Sequence, residues 1–366
     1  MKKIILNIGS TSWETRKGGG AAVVREQVKY FRTTNFETYN FEVCNNKSES
    51  KNIHYAKPSD NLFIKNYNLL KSLLLILNKN KNSNIFIITH NIPVFILSLF
   101  FLKLSNYKYK HIHYFHGPAF LESEAEGANK FRVKLIWLFE MIFFSLCNNY
   151  VFLSIYFKNL FLEKYYKNIN FKIVPYSVVE LPKKEIRNEN RDEFKMLCVR
   201  RLQKRMGIDT LIKSCALITS SKFSLKIVGT GPESIDLKKL ITELKLNDKI
   251  QLVGRLEDHE LKQELLDSNI SIMPTRSLEG FGISIIDSLI LGTPVVAFPV
   301  GGIPEILTNL SNDLIVNDQT VEGLARKISN IIELKDKPPS SDECYEYVLA
   351  NYTKTFNKLR EWLYTL

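Results

Sequence analysis

A chain of 366 residues is longer than one hydrophobic core usually supports, so its length predicts two domains. With 45% hydrophobic and 24% charged residues, the composition excludes a disordered chain and is typical of a globular protein. The formal net charge of +12 is uneven, because residues 1–180 hold 24 Lys and Arg against 12 Asp and Glu, whereas the remainder holds 26 of each. This asymmetry predicts an anionic partner, or only a solvated basic surface. No helix-turn-helix, RNP or zinc-finger pattern indicates nucleic acid.

In the first half, short apolar runs alternate with longer amphipathic stretches, which is typical of βα units in a parallel sheet. The runs predict strands at 4–8, 84–89, 110–115 and 150–154. The stretches predict helices at 22–32, 66–78, 130–146 and 155–165.

A charged stretch at 183–195 interrupts this alternation and predicts a domain linker. Five further strands are predicted at 196–199, 224–229, 250–254, 270–273 and 294–298. The expected fold class is therefore α/β, with Rossmann-like parallel-sheet domains at 1–180 and 181–349 facing each other across a cleft. Ligands of such sheets bind beyond the carboxyl ends of the strands.

The segment from Ser277 to Ile306 follows a predicted strand and contains the most informative pattern in the chain. Gly280, Phe281, Gly282 and Ile283 lead into a predicted helix, whose amino end would present unpaired N–H groups to a phosphate or hydroxyl. Glu279 precedes this helix, and a second carboxylate lies eight residues later, at Asp287. Two carboxylates in this arrangement suit the vicinal hydroxyls of a sugar and a ribose.

This segment resembles the family 4 retaining glycosyltransferases of the GT-B fold, whose signature is a Glu, seven residues, a second Glu, then G-x-P-V-V-A and G-G-x-x-E. The matching residues are Glu279, Gly292, Pro294, Val295, Val296, Ala297, Gly301, Gly302 and Glu305. Asp287 stands where the family has its second Glu. The resemblance implies that Glu279 contacts the reacting sugar and that Asp287 contacts the ribose.

A second match lies at 199–212, where the family grips the donor diphosphate with an Arg and a Lys. Arg201 matches the Arg, but Met206 occupies the Lys position. Arg205 beside it is the expected substitute, because a guanidinium pairs well with phosphate oxygens. Lys204 is the competing candidate.

Four other segments resemble the family's ligand-binding loops. The loops after two predicted strands would approach the nucleoside, with Gly229, Gly231 and Arg255 as binding residues. A Gly-rich segment at 16–27, with Gly19 and Gly20, would lie near the diphosphate and acceptor. His116 matches a histidine that contacts the transferred sugar.

The resemblance implies a retaining transferase that moves a sugar from a UDP- or GDP-sugar to a glycan or lipid-linked acceptor in bacterial surface polysaccharide synthesis. No cofactor is expected, and no metal, because the sequence contains no D-x-D. A GT-B nucleotide-sugar epimerase is the alternative, followed by a dehydrogenase and an inactive binding module. A helix at about 350–366 is expected to pack back on the first domain.

The expected location is cytoplasmic and peripheral, on the inner face of the cell membrane. The five cysteines form no paired spacing, and the apolar run at the start of the sequence is too short for a signal-peptide core. Basic and aromatic runs at 104–114 and 156–172, including Lys108, Lys110, Lys164 and Lys167, suit an anionic lipid surface.

Overall fold

The computed structural model of the chain describes residues 2–9, 19–42, 53–55, 62–90, 96–184, 193–219 and 222–366. The predicted linker at 183–195 and the Gly-rich segment at 16–27 are only partly within these ranges. Contacts divide the chain into two compact units. Unit 1 consists of residues 1–124, 128–180 and 353–366, and unit 2 consists of 125–127 and 181–352.

Unit 1 contains a seven-stranded sheet in the order β3-β2-β1-β4-β5-β6-β7, and every neighbouring pair is parallel. Its strands are β1 Lys3–Ile8, β2 Glu37–Glu42, β3 Ile53–Tyr55, β4 Asn84–Thr89, β5 Lys110–Phe115, β6 Asn149–Phe152 and β7 Asn170–Ile173. The central strands β1 and β4 are apolar runs buried on both faces, as a parallel sheet requires. The sequence did not predict β2, β3 and β7, which are polar or very short.

The helices of the first 180 residues lie between these strands. They are α1 Gly19–Arg32, α2 Leu62–Lys79, α3 Ile96–Lys103, α4 Ala119–Ala125, α5 Lys130–Ser145 and α6 Ile155–Lys164. An aromatic cluster joins them to the sheet: the Phe161 ring lies 5.2 Å from Phe115 and 5.0 Å from Phe144 between ring centroids. These edge-to-face contacts in a fully buried position hold α5 and α6 against β5.

Unit 2 contains a five-stranded parallel sheet in the order β10-β9-β8-β11-β12. Its strands are β8 Phe194–Val199, β9 Phe223–Val228, β10 Ile250–Gly254, β11 Ile270–Met273 and β12 Val295–Ala297. Its helices are α7 Ile208–Ala216, α8 Ser234–Glu243, α9 Asp258–Leu266, α10 Ile283–Leu289, α11 Ile303–Leu310, α12 Val321–Ile332 and α13 Ser341–Tyr352. The two parallel sheets confirm the predicted α/β class.

The last helix, α14 Thr355–Thr365, belongs to unit 1. Its buried face carries Phe356, Leu359 and Trp362. The Thr355 hydroxyl donates to the Pro175 carbonyl at 2.9 Å. Unit 1 is therefore completed by a helix that the sequence places after unit 2.

Among the described residues, none of the helices combines the length and the apolar character that crossing a bilayer requires.

Candidate functional site

The carboxyl ends of β8 and β11 lie side by side in the sheet of unit 2, because these strands are hydrogen-bonded neighbours. The loop after β8 carries Arg200 and Arg201, and the loop after β11 carries Thr275 and Glu279. The fold thus brings together two segments that are about seventy-five residues apart in sequence. The predicted binding edge of the sheet is the place where they meet.

An ion pair connects these two loops. The Arg200 Nη2 atom lies 2.5 Å from Glu279 Oε2 and 2.7 Å from the Thr275 hydroxyl oxygen. The side chains of Arg200 and Glu279 are only 10% and 14% exposed. A charged pair this far removed from water needs good geometry and further hydrogen bonds, and Thr275 supplies one of them. The arrangement fixes the direction in which the Glu279 carboxylate points.

The loop that precedes Glu279 has an unusual backbone. Leu278 adopts a φ of 55°, in the left-handed region that a branched side chain rarely occupies. Arg205 Nη1 donates to the carbonyl oxygens of Leu278 at 3.1 Å and Ser277 at 3.4 Å. The Gly302 N–H donates to the Glu279 carbonyl at 2.9 Å. Side-chain and backbone hydrogen bonds therefore hold this strained loop in place.

The basic residues predicted to bind a diphosphate differ in their surroundings. Arg205 is 6% exposed, and its guanidinium contacts the loop carbonyls just described. Arg201 and Lys204 are exposed, whereas Met206 lies in the core. In this structure Arg205 supports the Glu279 loop, and Arg201 is the more accessible cation.

The glycines of the neighbouring strand-end loops allow a close approach of two backbones. A Cβ atom at Gly229 would lie 1.8 Å from the Arg200 carbonyl oxygen, and one at Gly231 would lie 2.3 Å from the Leu202 carbonyl oxygen. Both distances are far too short for any side chain. These glycines thus place the loop after β9 against the loop that carries Arg200. Arg255, which follows β10, is exposed.

The Gly-Phe-Gly segment packs into unit 2. Gly280 and Gly282 are buried, and Phe281 lies edge-on to Tyr352 at 5.9 Å between ring centroids. Helix α10 begins at the partly buried Ile283 and has only seven residues. Asp287 lies on this helix and is exposed.

The predicted residues of unit 1 also meet at strand ends. His116 follows β5, and a Cβ atom at Gly20, in the first turn of α1, would lie 3.8 Å from His116 Nδ1. Gly19, the first residue of α1, is exposed. On its other side, His116 Nε2 lies 3.2 Å from Nδ1 of His90, which follows β4. His90 in turn stacks on the Tyr114 ring at 4.8 Å.

Two further imidazoles, those of His111 and His113, lie on β5, the strand that His116 follows. Thr89 Oγ1 lies 3.0 Å from His111 Nε2 and 2.9 Å from His113 Nδ1. Burial lowers the pKa of His116 and His111 to about 4, and it also lowers the pKa of His90 and His113. These rings are therefore neutral at pH 7, and His116 can exchange a hydrogen bond with an uncharged hydroxyl.

Sequence reasoning missed two of these residues. Arg200 was passed over for its neighbour Arg201, although an Arg directly after a strand could have been a signal. His90 lies twenty-six residues before His116 and becomes its neighbour only through the pairing of β4 with β5. Among the described residues, no group of three or more His, Cys, Asp or Glu side chains could hold a metal ion.

Residues 180–348 match the family model for glycosyl transferases group 1. The chain is 27% identical over 250 residues to the uncharacterized glycosyltransferase MJ1069 of Methanocaldococcus jannaschii, covering 65% of this chain and 63% of that protein. It is 33% identical over 149 residues to a Corynebacterium glutamicum enzyme named GDP-mannose-dependent monoacylated alpha-(1-6)-phosphatidylinositol monomannoside mannosyltransferase, covering 38% of each. Both alignments span less than two thirds of the relatives' own lengths.

Among solved structures, Anabaena Alr3699/HepE in complex with UDP and glucose has a TM-score of 0.75, with 14% sequence identity and full coverage of both chains. The chain has the GT-B fold. Together these findings support a GT-B glycosyltransferase, and they give no support to the epimerase alternative.

Proposed function

We propose that the chain transfers a sugar, with retention of configuration and without a metal ion, from a UDP- or GDP-sugar to a glycan or lipid-linked acceptor. Unit 2 holds the donor and unit 1 the acceptor. The setting is the synthesis of a bacterial surface polysaccharide.

The observation that carries the proposal is the ion pair between Arg200 and Glu279 at the adjoining ends of β8 and β11. A carboxylate held by a guanidinium on one side can still accept hydrogen bonds from sugar hydroxyls on the other, since each oxygen has two lone pairs. Because the pair is preorganised, the contact costs little reorganisation when the sugar reacts. Arg200 is then a positioning residue for Glu279.

The diphosphate needs cationic and N–H donors in the same place. Arg201 lies one residue beyond Arg200 and is exposed, so its guanidinium can reach a phosphate oxygen. Gly229 and Gly231 bring the loop after β9 against the backbone of the loop that carries Arg200, so the two strand-end loops adjoin at this position. The neighbour HepE, which shares the fold, binds UDP. These features support a nucleoside diphosphate as the leaving group.

The acceptor is proposed to be neutral where it meets unit 1. His116 is uncharged at pH 7, so it suits a sugar hydroxyl better than a phosphate. The relative from Corynebacterium, whose name specifies an acylated phosphatidylinositol monomannoside, supports an acceptor that carries a lipid. A lipid-linked acceptor would place the enzyme at the inner face of the cell membrane.

The test uses the purified full-length chain, a panel of UDP- and GDP-sugars in thermal-shift assays, and turnover measured with the sugar that stabilises it. We expect Glu279→Gln to lower kcat by more than about a hundredfold while the protein stays folded, because a charged contact to the reacting sugar is lost. Glu322→Gln, an isosteric change at an exposed residue of α12, is the matched control.

Activity should survive EDTA, and NMR of the product should show the anomeric configuration of the donor. Near-normal turnover of Glu279→Gln would contradict the assigned site. A strict requirement for a divalent metal would contradict the metal-free mechanism, and an inverted product would contradict retention.

A further inference from the structure

Helix α5 is apolar on two opposite faces. Its inner face carries Phe143 and Phe144, which are fully buried in the core of unit 1. Its outer face exposes five large apolar side chains: Phe131 at 78%, Leu135 at 42%, Leu138 at 50%, Phe139 at 54% and Ile142 at 48%. The spacings of four, three, one and three residues place all five within an arc of about 100°. We call these five exposed residues the α5 stripe.

The stripe differs from the exposed apolar residues of unit 2. In unit 2, Leu217, Ile235 and Leu334 are at least as exposed as most of the stripe, but each comes from a different part of the sequence. Single exposed side chains of this kind are normal on soluble proteins. Five on one helix face form a continuous surface, and such surfaces mark interaction sites.

The charges on α5 indicate what the stripe contacts. Lys130, Arg132 and Lys134 are exposed in the first five residues of the helix, and no acidic residue lies in its first turn. The amino end of a helix carries a partial positive charge. The three cations add to it and make the local electrostatic potential more positive. The one carboxylate of α5, Glu140, faces inward and accepts hydrogen bonds from the Tyr165 hydroxyl and the Ala119 N–H, each at 2.7 Å.

A cavity of about 520 Å³ lies beside the basic end of the stripe. Phe120, Val133 and Trp137 supply its apolar lining. Lys130, Lys134 and Lys164 lie at the same cavity, with Glu124 and Glu163. Lys164 pairs with Glu163 at 2.7 Å, whereas Lys130 and Lys134 are exposed. Apolar lining with cations at its border suits the junction between acyl chains and phosphate head groups.

We infer that the α5 stripe and the three cations of α5, Lys130, Arg132 and Lys134, form a docking surface for an anionic phospholipid bilayer. The inference deepens the proposed function, because it names the surface of unit 1 that would contact the membrane of a lipid-linked acceptor. Helices with an apolar face that includes Phe and Leu, and with Lys and Arg beside it, lie in the membrane interface. Each cation near an anionic surface contributes on the order of 1 kcal/mol, in addition to the burial of the stripe. The surplus of positive charge in residues 1–180 has the same sign.

The experiment is co-sedimentation of the full-length chain with vesicles of phosphatidylcholine alone or mixed with phosphatidylglycerol, at low and high salt. The wild type should bind the mixed vesicles, and salt should weaken binding. The triple variant Leu135→Ser, Leu138→Ser, Phe139→Ser should bind at least about tenfold more weakly, because these side chains are the ones buried in lipid. Lys130→Glu with Arg132→Glu should reduce binding to mixed vesicles only.

The matched control is Leu217→Ser with Ile235→Ser, which removes exposed apolar side chains from unit 2 and should leave vesicle binding unchanged. As a direct readout, the fluorescence of Phe139→Trp should shift to the blue on adding mixed vesicles, whereas that of Ile235→Trp should not. Both changes are at exposed positions and leave the core untouched.

Wild-type binding by the stripe variant would overturn the inference. So would a stripe variant that loses self-association or a protein complex while its vesicle binding is unchanged, because the stripe would then be a protein interface. Thermal shift with UDP and GDP keeps this outcome separate from the proposed function. Nucleotide binding without vesicle binding refutes only the docking surface, and vesicle binding without nucleotide binding refutes only the transferase.

Discussion

The polar groups at the strand ends of the two units differ in charge. In unit 2, Arg200 and Glu279 carry full charges and contact each other. In unit 1, His90 and His116 share a hydrogen bond, and burial holds both rings neutral. A guanidinium cannot lose its proton, so a partly buried Arg needs a counter-ion, whereas an imidazole responds to burial by becoming neutral.

The difference suggests a division of labour between the units. A charged pair suits a donor that carries phosphates, and neutral rings suit an acceptor that presents hydroxyls. The positive charge of unit 1 lies on its surface, for example at Lys130 and Arg132, rather than at its strand ends. Changes that target the neutral rings or the charged pair should therefore have different signatures.

The largest expected effect is on the stability of unit 1 as the pH falls. Desolvation lowers the pKa values of His90, His111, His113 and His116, to about 4 for His111 and His116. Below about pH 6.5 the unfolded chain binds protons that the folded chain does not, so the stability present above that pH is lost between about pH 6.5 and 4. The slope approaches about 1.4 kcal/mol per pH unit for each histidine. Urea unfolding at pH 7 and pH 5 measures it.

Tryptophan fluorescence separates the units, because none of the three tryptophans lies in residues 181–352. Unit 2 contains the single histidine His259, so the part of the far-UV circular dichroism transition that the tryptophan signal does not share should depend less on pH. The variant His113→Gln should show a shallower pH dependence even if it is less stable overall. Equal pH dependence of the wild type and this variant would mean that the buried rings are not the cause.

An intermediate effect is expected when the charged pair is broken. Arg200→Met should lower kcat by about tenfold to a hundredfold, or about 1.4 to 2.7 kcal/mol, because Glu279 loses the group that orients it. Arg200→Lys keeps the positive charge but lacks the forked N–H donors of a guanidinium. Its kcat should therefore lie between those of the wild type and Arg200→Met. The donor KM should change little if Arg200 acts through Glu279.

The control is Arg326→Met, which breaks an exposed pair with Asp318 and should have almost no effect. The double variant that combines Arg200→Met with Glu279→Gln should lose little more activity than Glu279→Gln alone. A large rise in KM with kcat unchanged would show instead that Arg200 binds the donor directly.

The smallest effect is expected at Asp287. Because this residue is exposed, water competes for its hydrogen bonds, and Asp287→Ala should raise the donor KM by about tenfold or less, on the order of 1 kcal/mol. A ribose contact changes little during the reaction, so kcat should stay close to normal. Steady-state kinetics over a range of donor concentrations measures both. A fall in kcat alone would exclude the ribose role.

The sequence predicted the α/β class and most of the strands, because buried parallel strands are continuous apolar runs. It also predicted a loop at Glu279, because glycines occur where the backbone must turn or approach another segment closely. It could not predict whether Arg200 or Arg201 meets Glu279. Successive residues near a strand end point in opposite directions, so one position decides the matter. The partnership of His90 with His116 depends on strand order, which no local pattern encodes.

Helix α5 was predicted within one residue, but its docking role was not. Because α5 has apolar residues on both faces, the periodicity of its sequence does not indicate which face stays exposed. The sequence instead drew attention to runs at 104–114 and 156–172. Only the packing of Phe143 and Phe144 against the sheet distinguishes the inner face from the outer one.

Helix α14 has a consequence for the order in which the chain folds during synthesis. Phe356 and Leu359 are fully buried, and the Tyr30 hydroxyl donates to Asn357 at 2.7 Å, so unit 1 needs a helix that the ribosome makes more than 170 residues after β7. Apart from residues 125–127, unit 2 is encoded by residues 181–352, and all five strands of its sheet lie in that segment, so it can form its sheet first. A nascent chain stopped before residue 353 should therefore contain a protease-resistant unit 2 beside a protease-sensitive unit 1.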